Sequence, residues 1–419
     1  MSNMVKLADL CIKITDGSHS SPNSQENGYP MLSVKDMKEN GFSYNDCKYI
    51  SKEDYKKMCD SGCKPEINDI LIAKDGSYLK HVFVITEEKE QAILSSIGIL
   101  KPDVSKVNPY YIKYYLSSDF VKNEVAKKYV SGSALPRIIL KNFANIEIPY
   151  ISLDKQNKIV KILKSIDDKI ENNNKINVEL ESMAKTIYDY WFLQFEFPNE
   201  DGKPYKSSGG KMVWNKELKR EIPEGWECCT LSDIINISST KINSKEIEDR
   251  VYVPIEVIPR NRMSFYETVP IEKATTGLCP FDAKSILLSN RRVYFHKVSI
   301  SPYNGVTRDT VIIINPKSNN NLGYVFQLVN SDHFIQYATL NSYGTEQPVL
   351  SPLSVMNYKI AYPKDGLDKK YSEYVNEIIN KVLLNQKQNQ ELTSLRDFLL
   401  PLLMNGQVGF KEVALDSIL

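Results

Sequence analysis

Residues 153–195 have the sequence LDKQNKIVKILKSIDDKIENNNKINVELESMAKTIYDYWFLQF, which contains no proline or glycine. Apolar side chains recur three or four positions apart at Ile159, Leu163, Ile166 and Ile170, and the pattern resumes at Leu180, Ala184 and Ile187. That spacing places them on one face of an α-helix. Pro149 and Ser152 precede the stretch as a break and a candidate N-cap. The sequence therefore predicts a helix of about 40 residues and about 60 Å.

The same pattern occurs again 212 residues further along the chain, as YVNEIINKVLLNQKQNQELTSLRDFLLPLLMNGQV. The corresponding apolar pairs are Leu163 and Val375, Ile166 and Ile378, Ile170 and Val382, Leu180 and Leu392, and Met183 and Leu395. A repeat of this length predicts two copies of one unit, each a globular part followed by a long helix. The predicted segments are a first domain (1–152), a first long helix (153–196), a linker (197–227), a second domain (228–366), a second long helix (367–406) and a C-terminal tail (407–419).

Asparagines interrupt the apolar face of both predicted helices at matching positions. Continuing the heptad places Asn173 and Asn177 on that face of the first helix, and Asn385 and Asn389 on that of the second. If the helices pack together, these amides meet near the middle, where a buried asparagine can fix register at some cost in stability. The alternative is that the apolar face drifts around the helix, or that the helix faces water there.

Composition indicates an ordinary globular protein. Of 419 residues, 42% are apolar and 25% charged, and the formal net charge is +1. No apolar run is long enough to cross a bilayer, and no charged-then-apolar leader precedes Asp9. The seven cysteines are scattered, and the four histidines do not complete a zinc-site spacing. We therefore expect free thiols, a cytoplasmic location and no metal site. Nucleic-acid binding would need basic residues concentrated on one face.

The first globular part mixes short strands with helix. Segments 70–74, 81–86, 92–100 and 146–149 are candidate strands because they are rich in β-branched and aromatic residues. Residues 109–128 begin with proline and carry apolar residues at helical spacing, which predicts one helix. The mixture indicates an α+β domain. The second globular part has similar landmarks, with divergent sequence between them.

The sequence lacks the motifs of several enzyme classes. It has no G-x-x-x-x-G-K-[ST] or G-x-G-x-x-G loop, no H-E-x-x-H and no G-x-S-x-G. It also has no Asn/Asp-Pro-Pro-aromatic tetrapeptide of the kind that amino-methyltransferases carry. We therefore expect no catalytic residues and no cofactor bound by this chain.

Several loops at matching places in both halves carry side chains suited to DNA. Arginine and lysine bind phosphate or guanine, asparagine and glutamine bind adenine, and serine and threonine bind either. Glycine permits close approach of the backbone. The candidate DNA-binding residues are Asp16, Gly17, Ser18, His19, Lys74, Asp75, Ser77, Ser131, Ser133 and Arg137 in the first half, and Asn290, Arg291, Arg292, Tyr343, Thr345 and Gln347 in the second. The alternative is that these are ordinary turns at strand ends.

Both long helices end in segments that are apolar almost all round. Such a surface must be covered, either by a neighbouring domain or by another chain. The candidate partner-binding residues are Tyr188, Trp191, Phe192, Phe398 and Leu402.

The whole chain resembles a specificity (S) subunit of a type I restriction-modification system. Besides the domain–helix repeat, three elements carry the resemblance: Ile14-Thr-Asp-Gly-Ser-His19, residues 132–136 ahead of the 146–149 strand, and Asp201-Gly-Lys-Pro-Tyr-Lys-Ser-Ser-Gly-Gly-Lys-Met212 leading to Ile222-Pro-Glu-Gly-Trp226. Two departures occur in the second half. It has Ile237-Ser-Ser-Thr240 in place of the Thr-Asp-Gly-Ser-His element, and Ser289-Asn-Arg-Arg292 where the first half has Lys74-Asp-Gly-Ser77. Contacts should therefore not be transferred between halves.

The resemblance implies an α+β fold in which two similar target recognition domains alternate with two long helices. The helices would pack as an antiparallel coiled coil and relate the halves by a pseudo-twofold internal repeat. Each domain would recognise one half of a bipartite double-stranded DNA site, and the helices would set the spacer between half-sites. Two modification (methyltransferase) subunits would supply S-adenosylmethionine and adenine methylation on a flipped base. Restriction subunits would add ATP-driven translocation and cleavage.

Two other functions are compatible with parts of the sequence. A coiled-coil scaffold without a DNA role would explain the helices, and it predicts no sequence-selective binding. A stand-alone DNA-modifying enzyme would predict a cofactor site, for which the sequence offers no motif.

Overall fold

The computed structural model describes residues 3–75, 79–129, 138–242, 250–274 and 277–408. The chain divides into two compact units, one of residues 1–167 with 394–419 and one of residues 168–393. Both boundaries lie inside the long helices, so each unit combines a globular part with portions of both helices. Nowhere in the described ranges does a helix combine the length and apolar character needed to cross a membrane.

The described helices and strands follow the predicted order along the chain. The strands are β1 Asn3–Lys6, β2 Cys11–Asp16, β3 Tyr29–Leu32, β4 Met37–Lys38, β5 Gly41–Phe42, β6 Lys48–Ile50, β7 Ile70–Ala73, β8 Val82–Val84, β9 Ala92–Ile93, β10 Ile97–Pro102, β11 Glu147–Tyr150, β12 Met212–Asn215, β13 Arg220–Pro223, β14 Glu227–Thr230, β15 Ile235–Ser238, β16 Val251–Tyr252, β17 Leu278–Phe281, β18 Ile286–Ser289, β19 Val298–Ile300, β20 Gly305–Arg308, β21 Val311–Pro316 and β22 Lys359–Tyr362. The helices are α1 Leu7–Leu10, α2 Lys52–Asp60, α3 Pro109–Ser117, α4 Asp119–Tyr129, α5 Leu140–Ala144, α6 Leu153–Tyr188, α7 Leu322–Val329, α8 Asp332–Leu340, α9 Pro352–Met356 and α10 Leu367–Met404.

The two globular parts share the topology of their main four-stranded sheet. In the described part of the first, an antiparallel sheet has the order β2-β10-β7-β8, beside a smaller sheet β6-β3-β9 and the pair β1-β11. In the described part of the second, the four-stranded sheet has the corresponding order β15-β21-β18-β19, and the pair β14-β22 corresponds to β1-β11. The small sheets differ, because the first of the three strands along the chain is central in β6-β3-β9, whereas the last is central in β16-β20-β17. The predicted internal repeat and α+β class are therefore confirmed.

Two predicted elements of the first domain are interrupted. The predicted helix 109–128 breaks at Ser118, whose backbone is extended (φ −68°, ψ 141°). The Ser118 hydroxyl donates to the Tyr115 carbonyl at 2.8 Å and accepts from the Val121 N–H at 3.4 Å, so it ends α3 and caps α4. The predicted strand 92–100 divides at a turn in which the Ile97 N–H donates to the Leu94 carbonyl at 3.0 Å. The turn is needed because β9 pairs with β3, whereas β10 pairs with β2 and β7.

The two long helices pack antiparallel through the predicted asparagines. Asn173, Asn177, Asn385 and Asn389 are all buried, which excludes a water-facing helix at this point. Asn173 Nδ2 donates to Asn389 Oδ1 at 2.9 Å, and Asn385 Nδ2 donates to Asn177 Oδ1 at 2.7 Å. The higher-numbered asparagine of α6 pairs with the lower-numbered asparagine of α10, as an antiparallel arrangement requires. The 212-residue repeat makes Asn173 equivalent to Asn385 and Asn177 equivalent to Asn389, so it converts one pair into the other. Sliding one helix by a turn would separate both pairs, so the amides favour this register.

Replacing Asn389 with alanine is expected to lower the free energy of unfolding of the second unit by about 1–3 kcal/mol. Besides accepting from Asn173, the Asn389 side chain donates to Asn174 Oδ1 at 2.9 Å, and it is fully buried. Its loss leaves buried amide atoms without partners. Denaturant unfolding measures the change, with Lys387→Ala, on an exposed position of the same helix, as the control. Equal stability of the two variants would contradict a role for the asparagine pairs.

Candidate nucleic-acid interface

The loop after β2 is held tightly by backbone hydrogen bonds. The Gly17 N–H donates to the Ile97 carbonyl at 3.2 Å, and the Ser18 N–H donates to the Ile93 carbonyl at 2.9 Å. A Cβ atom on Gly17 would lie 2.2 Å from the Ile93 carbonyl oxygen, so only glycine fits without movement of the backbone. The Ser18 hydroxyl bonds Ser20 within the same loop. The loop is therefore a preorganised turn.

Asp16 and Lys74 form a buried ion pair beneath this loop. Only 9% of the Asp16 side chain and 3% of the Lys74 side chain are exposed. This placement differs from the sequence-based prediction that both contact DNA, because each charge is neutralised by the other inside the domain. The pair joins the ends of β2 and β7 and supports the loop above it. His19 is 71% exposed, and its Nε2 lies 3.3 Å from Asp16 Oδ1.

The other candidates in the first domain lie at or beyond the edge of the described residues. Asp75 is half-buried and directly follows Lys74. The predicted residues Ser77, Ser131, Ser133 and Arg137 lie outside the described residues. Ile138, the next described residue, donates its N–H to the Lys74 carbonyl at 3.3 Å.

The second domain brings its candidate residues together on two adjacent segments. Residues 343–349 form a hairpin closed by reciprocal backbone hydrogen bonds of 3.1 and 2.9 Å between Tyr343 and Val349. Arg291 forms a β-bridge with Val349, and the Arg292 N–H donates to the Pro348 carbonyl at 3.0 Å. The side chains of Arg292, Tyr343, Thr345 and Gln347 are exposed along these segments. Asn290 differs, since it is buried and its Nδ2 donates to the Asp309 carbonyl at 2.7 Å, which assigns it a supporting role.

Two further residues extend this surface and were missed by sequence reasoning. The Arg260 guanidinium lies 3.8 Å from the centroid of the Phe295 ring, and the Tyr294 ring packs against Phe295 at 4.8 Å. Half of Tyr294 is exposed. Tyr294 is two residues from the predicted Arg292, and this closeness in sequence is a signal for it as a DNA-binding candidate. No such signal exists for Arg260, because only the tertiary structure brings it to Phe295. We call the set Arg260, Arg291, Arg292, Tyr294, Tyr343, Thr345 and Gln347 the basic-aromatic strip.

The loop that carries part of the strip has an unusual backbone. Arg292 and His296 both adopt left-handed conformations, with φ of 48° and 53°, on either side of a short 3₁₀ turn. Such conformations cost about 1–3 kcal/mol each for residues other than glycine, and they often mark binding sites. His296 Nε2 lies 2.9 Å from the Asn330 carbonyl oxygen, which anchors one end of the turn. The loop is therefore held in a fixed shape that presents Arg292 and Tyr294.

The predicted partner-binding residues separate into two groups. Tyr188, Trp191 and Phe192 are 3%, 9% and 4% exposed, and their rings pack against Tyr324 and Tyr371 of the second unit. The prediction that these three bind another chain is therefore wrong, because the neighbouring domain covers them. The segment predicted as linker also contributes, since Phe197, Ile222 and Trp226 are buried in the same cluster and 212–223 forms a hairpin.

The end of the second long helix presents an apolar face in the first unit. Phe398 is 66% exposed and Leu395 is 45% exposed, while Leu402 is partly exposed. Their spacing of three and four residues places them on one side of the helix. Phe398 and Leu402 therefore stay candidates for contact with a partner.

Comparison with known proteins finds a family model that matches residues 2–182 and 223–394, described as the type I restriction modification DNA specificity domain. The type I restriction enzyme MjaIX specificity subunit of Methanocaldococcus jannaschii is 29% identical over 321 residues, covering 72% of this chain and 69% of that protein. The HindI specificity subunit of Haemophilus influenzae is 22% identical, covering 91% and 95%. The crystal structure of a type I restriction-modification S subunit from M. genitalium has a TM-score of 0.56 and 16% identity, covering 96% and 95%.

Proposed function

This chain belongs to the type I restriction-modification DNA specificity family as a specificity subunit, and from that premise we propose that each of its domains recognises one half of a bipartite site on double-stranded DNA. The observation that carries the proposal is that one four-stranded sheet topology occurs twice, while the sequences at the corresponding strand ends differ. Two similar scaffolds with different loops suit two different half-sites. The paired helices between them would set the unspecified spacer.

The basic-aromatic strip supplies the chemistry that the second half-site requires. Arg292 and Gln347 are exposed, and they suit guanine and adenine edges or phosphate. The strip also brings three arginines, Arg260, Arg291 and Arg292, onto neighbouring segments of a chain whose net charge is only +1. In the first domain, His19 and Ser18 would contact DNA, and the buried Asp16–Lys74 pair would position them.

The chain would contribute recognition and leave catalysis to its partners. The sequence carries none of the nucleotide-binding or methyltransferase motifs described above. Two modification subunits would bind S-adenosylmethionine and methylate adenine, and restriction subunits would use ATP. No cofactor would be bound by this chain, and the complex would act on cytoplasmic DNA. The exposed apolar face of Leu395, Phe398 and Leu402 would dock a modification subunit.

Methylation mapping tests this function directly. The chain is co-expressed with its modification subunit in a host lacking adenine methylation, and N6-methyladenine is located by single-molecule sequencing. The expected result is a two-part motif with a fixed gap. A hybrid in which residues 1–152 come from a relative should change one half of the motif and keep the other. Methylation of one short contiguous motif would contradict the two-domain assignment, and a folded complex without methylation would favour a scaffold.

Replacing Arg292 with alanine is expected to weaken specific DNA binding about 5- to 150-fold, the equivalent of about 1–3 kcal/mol for one bidentate base contact. Arg292→Lys keeps the positive charge and loses the planar pair of donors, so it should recover nonspecific affinity but not discrimination at the contacted base. Binding is measured at several salt concentrations on matched specific and scrambled duplexes. Lys273→Ala, which removes an exposed cation outside the strip, is the control. If the unmodified protein, Arg292→Ala and Arg292→Lys bind with equal specificity, Arg292 does not contact a base.

A further inference from the structure

Residues 260–264 connect the paired helices to the basic-aromatic strip within the second unit. The Arg262 guanidinium lies 3.2 Å from Glu181 Oε2 on α6. Two residues later, the Ser264 carbonyl accepts from Gln386 Nε2 on α10 at 3.3 Å. Both long helices therefore hold one short segment of the recognition domain. We call residues 260–264 the strap.

The strap is also bonded to the sheet and to the strip. The Ile300 N–H donates to the Met263 carbonyl at 2.7 Å, and the Ser264 hydroxyl donates to the Ile300 carbonyl at 2.8 Å. Ile300 belongs to β19, which pairs with β18, the strand that leads to Arg291 and Arg292. At its other end the strap carries Arg260, stacked on Phe295. A continuous path of hydrogen bonds and packing thus joins the helices to the proposed DNA surface.

The helix contacts of the strap are costly to bury. Burial raises the pKa of Glu181 to about 7, although Arg262 acts in the opposite direction. Glu181 Oε1 and Gln386 Oε1 are buried and accept no hydrogen bond from the described residues. The Glu181 side chain is 14% exposed and the Arg262 side chain is 30% exposed, so this ion pair is partly buried. Ion pairs with a desolvated carboxylate contribute little net stability, and in some proteins they select one arrangement over others. These contacts are therefore better explained as fixing the position of the domain on the helices than as stabilising the fold.

The contacts are specific to the second half of the chain. The residue that corresponds to Glu181 under the 212-residue repeat is Thr393, and the residue that corresponds to Gln386 is Asn174. The first half therefore lacks both the carboxylate and the longer amide at these positions. The ion pair is an individual feature of this domain and is not part of the repeated scaffold.

We propose that Arg262, Glu181 and Gln386 are positioning residues that fix the second recognition domain on the paired helices and thereby set which gap between half-sites is accepted. The inference rests on the proposed function. Neighbouring base pairs lie about 3.4 Å apart along DNA, so a gap change of one base pair is absorbed by movement of a domain on the helices or by deformation of the DNA. The strap opposes that movement, because its polar contacts have defined partners and directions on both helices.

The test uses the full specificity and modification complex with duplexes that hold both half-sites at the preferred gap, one base pair shorter and one base pair longer. For Arg262→Ala, methylation at the altered gaps relative to the preferred gap should rise about tenfold, which corresponds to about 1.4 kcal/mol. The half-site sequences should not change. Arg262→Lys should restore much of the gap preference, and Lys359→Ala, which removes an exposed ion pair with Glu217 in the same unit, should have no effect.

The outcomes separate this inference from the proposed function. If the unmodified complex shows no bipartite motif, both fail. If it does, and Arg262→Ala keeps the original gap preference, the strap has no positioning role. Relaxed recognition of the second half-site at an unchanged gap would also overturn the inference, since it would indicate local damage to the strip. Should Arg262→Ala fail to fold, Glu181→Gln, which keeps the side-chain shape and removes the charge, is measured in the same assay with the same expectation.

Discussion

Replacing Phe192 with alanine is expected to lower the free energy of unfolding of the second unit by about 3–5 kcal/mol. Phe192 is 4% exposed, and its ring lies 4.8 Å from that of Tyr324 and 5.3 Å from that of Tyr371. These contacts join the π-helical turn Asp189–Leu193, which directly follows α6, to α7 and α10. Truncation therefore creates a cavity at the point where the domain is attached to both long helices. Denaturant unfolding followed by tryptophan fluorescence measures the loss, since Trp191 and Trp226 report on the same cluster.

Phe398→Ala is the matched control for this prediction. Phe398 is also an aromatic residue at the end of a long helix, but it is 66% exposed. Its truncation should change stability by about 0.5 kcal/mol or less. In a pull-down with the modification subunit, Phe398→Ala should weaken association if this face docks the partner. A large loss of stability in Phe398→Ala, or none in Phe192→Ala, would contradict the division between the buried and exposed helix ends.

Replacing Lys74 with methionine is expected to destabilise the first unit by about 3–5 kcal/mol, because it leaves the buried Asp16 carboxylate without its cation. The loop from Asp16 to His19 should lose its fixed shape as well, since the ion pair joins β2 to β7 beneath it. Thermal unfolding measures the stability. Methylation mapping of the complex should show weaker or altered recognition of one half-site, with the other half unchanged.

A double-mutant cycle separates the ion pair from the packing. Asp16→Leu with Lys74→Met replaces both charges by apolar groups and should recover most of the stability lost in Lys74→Met. Recognition of the half-site should not recover with it if His19 depends on Asp16 for its orientation. If Lys74→Met is as stable as the unmodified protein and recognises DNA normally, Lys74 is not a structural residue of this loop.

The architecture could be predicted from the sequence because it is encoded in periodic and repeated features. The apolar spacing of residues 153–195 defines a long helix, and its recurrence 212 residues later defines a two-copy chain. The positions of Asn173 and Asn389 on the apolar faces indicated where the helices meet, and both are buried there. The loops at 290–292 and 343–347 were also identified, because corresponding strand ends recur in both halves.

Tertiary structure alone decided which side chains of these segments are exposed. Asp16 and Lys74 are 58 positions apart, and both are charged, so the sequence predicts a surface position for each. The fold buries them because it brings the two charges together as an ion pair. The aromatic residues at and just after the end of α6 are buried because the second domain and residues 197–227 cover them. Arg260 contacts Phe295, which is 35 positions away in the sequence. Arg262 contacts Glu181, which is 81 positions away. Periodicity specifies which face of an element is apolar, whereas the partner of a single charged or aromatic group depends on how distant segments are brought together.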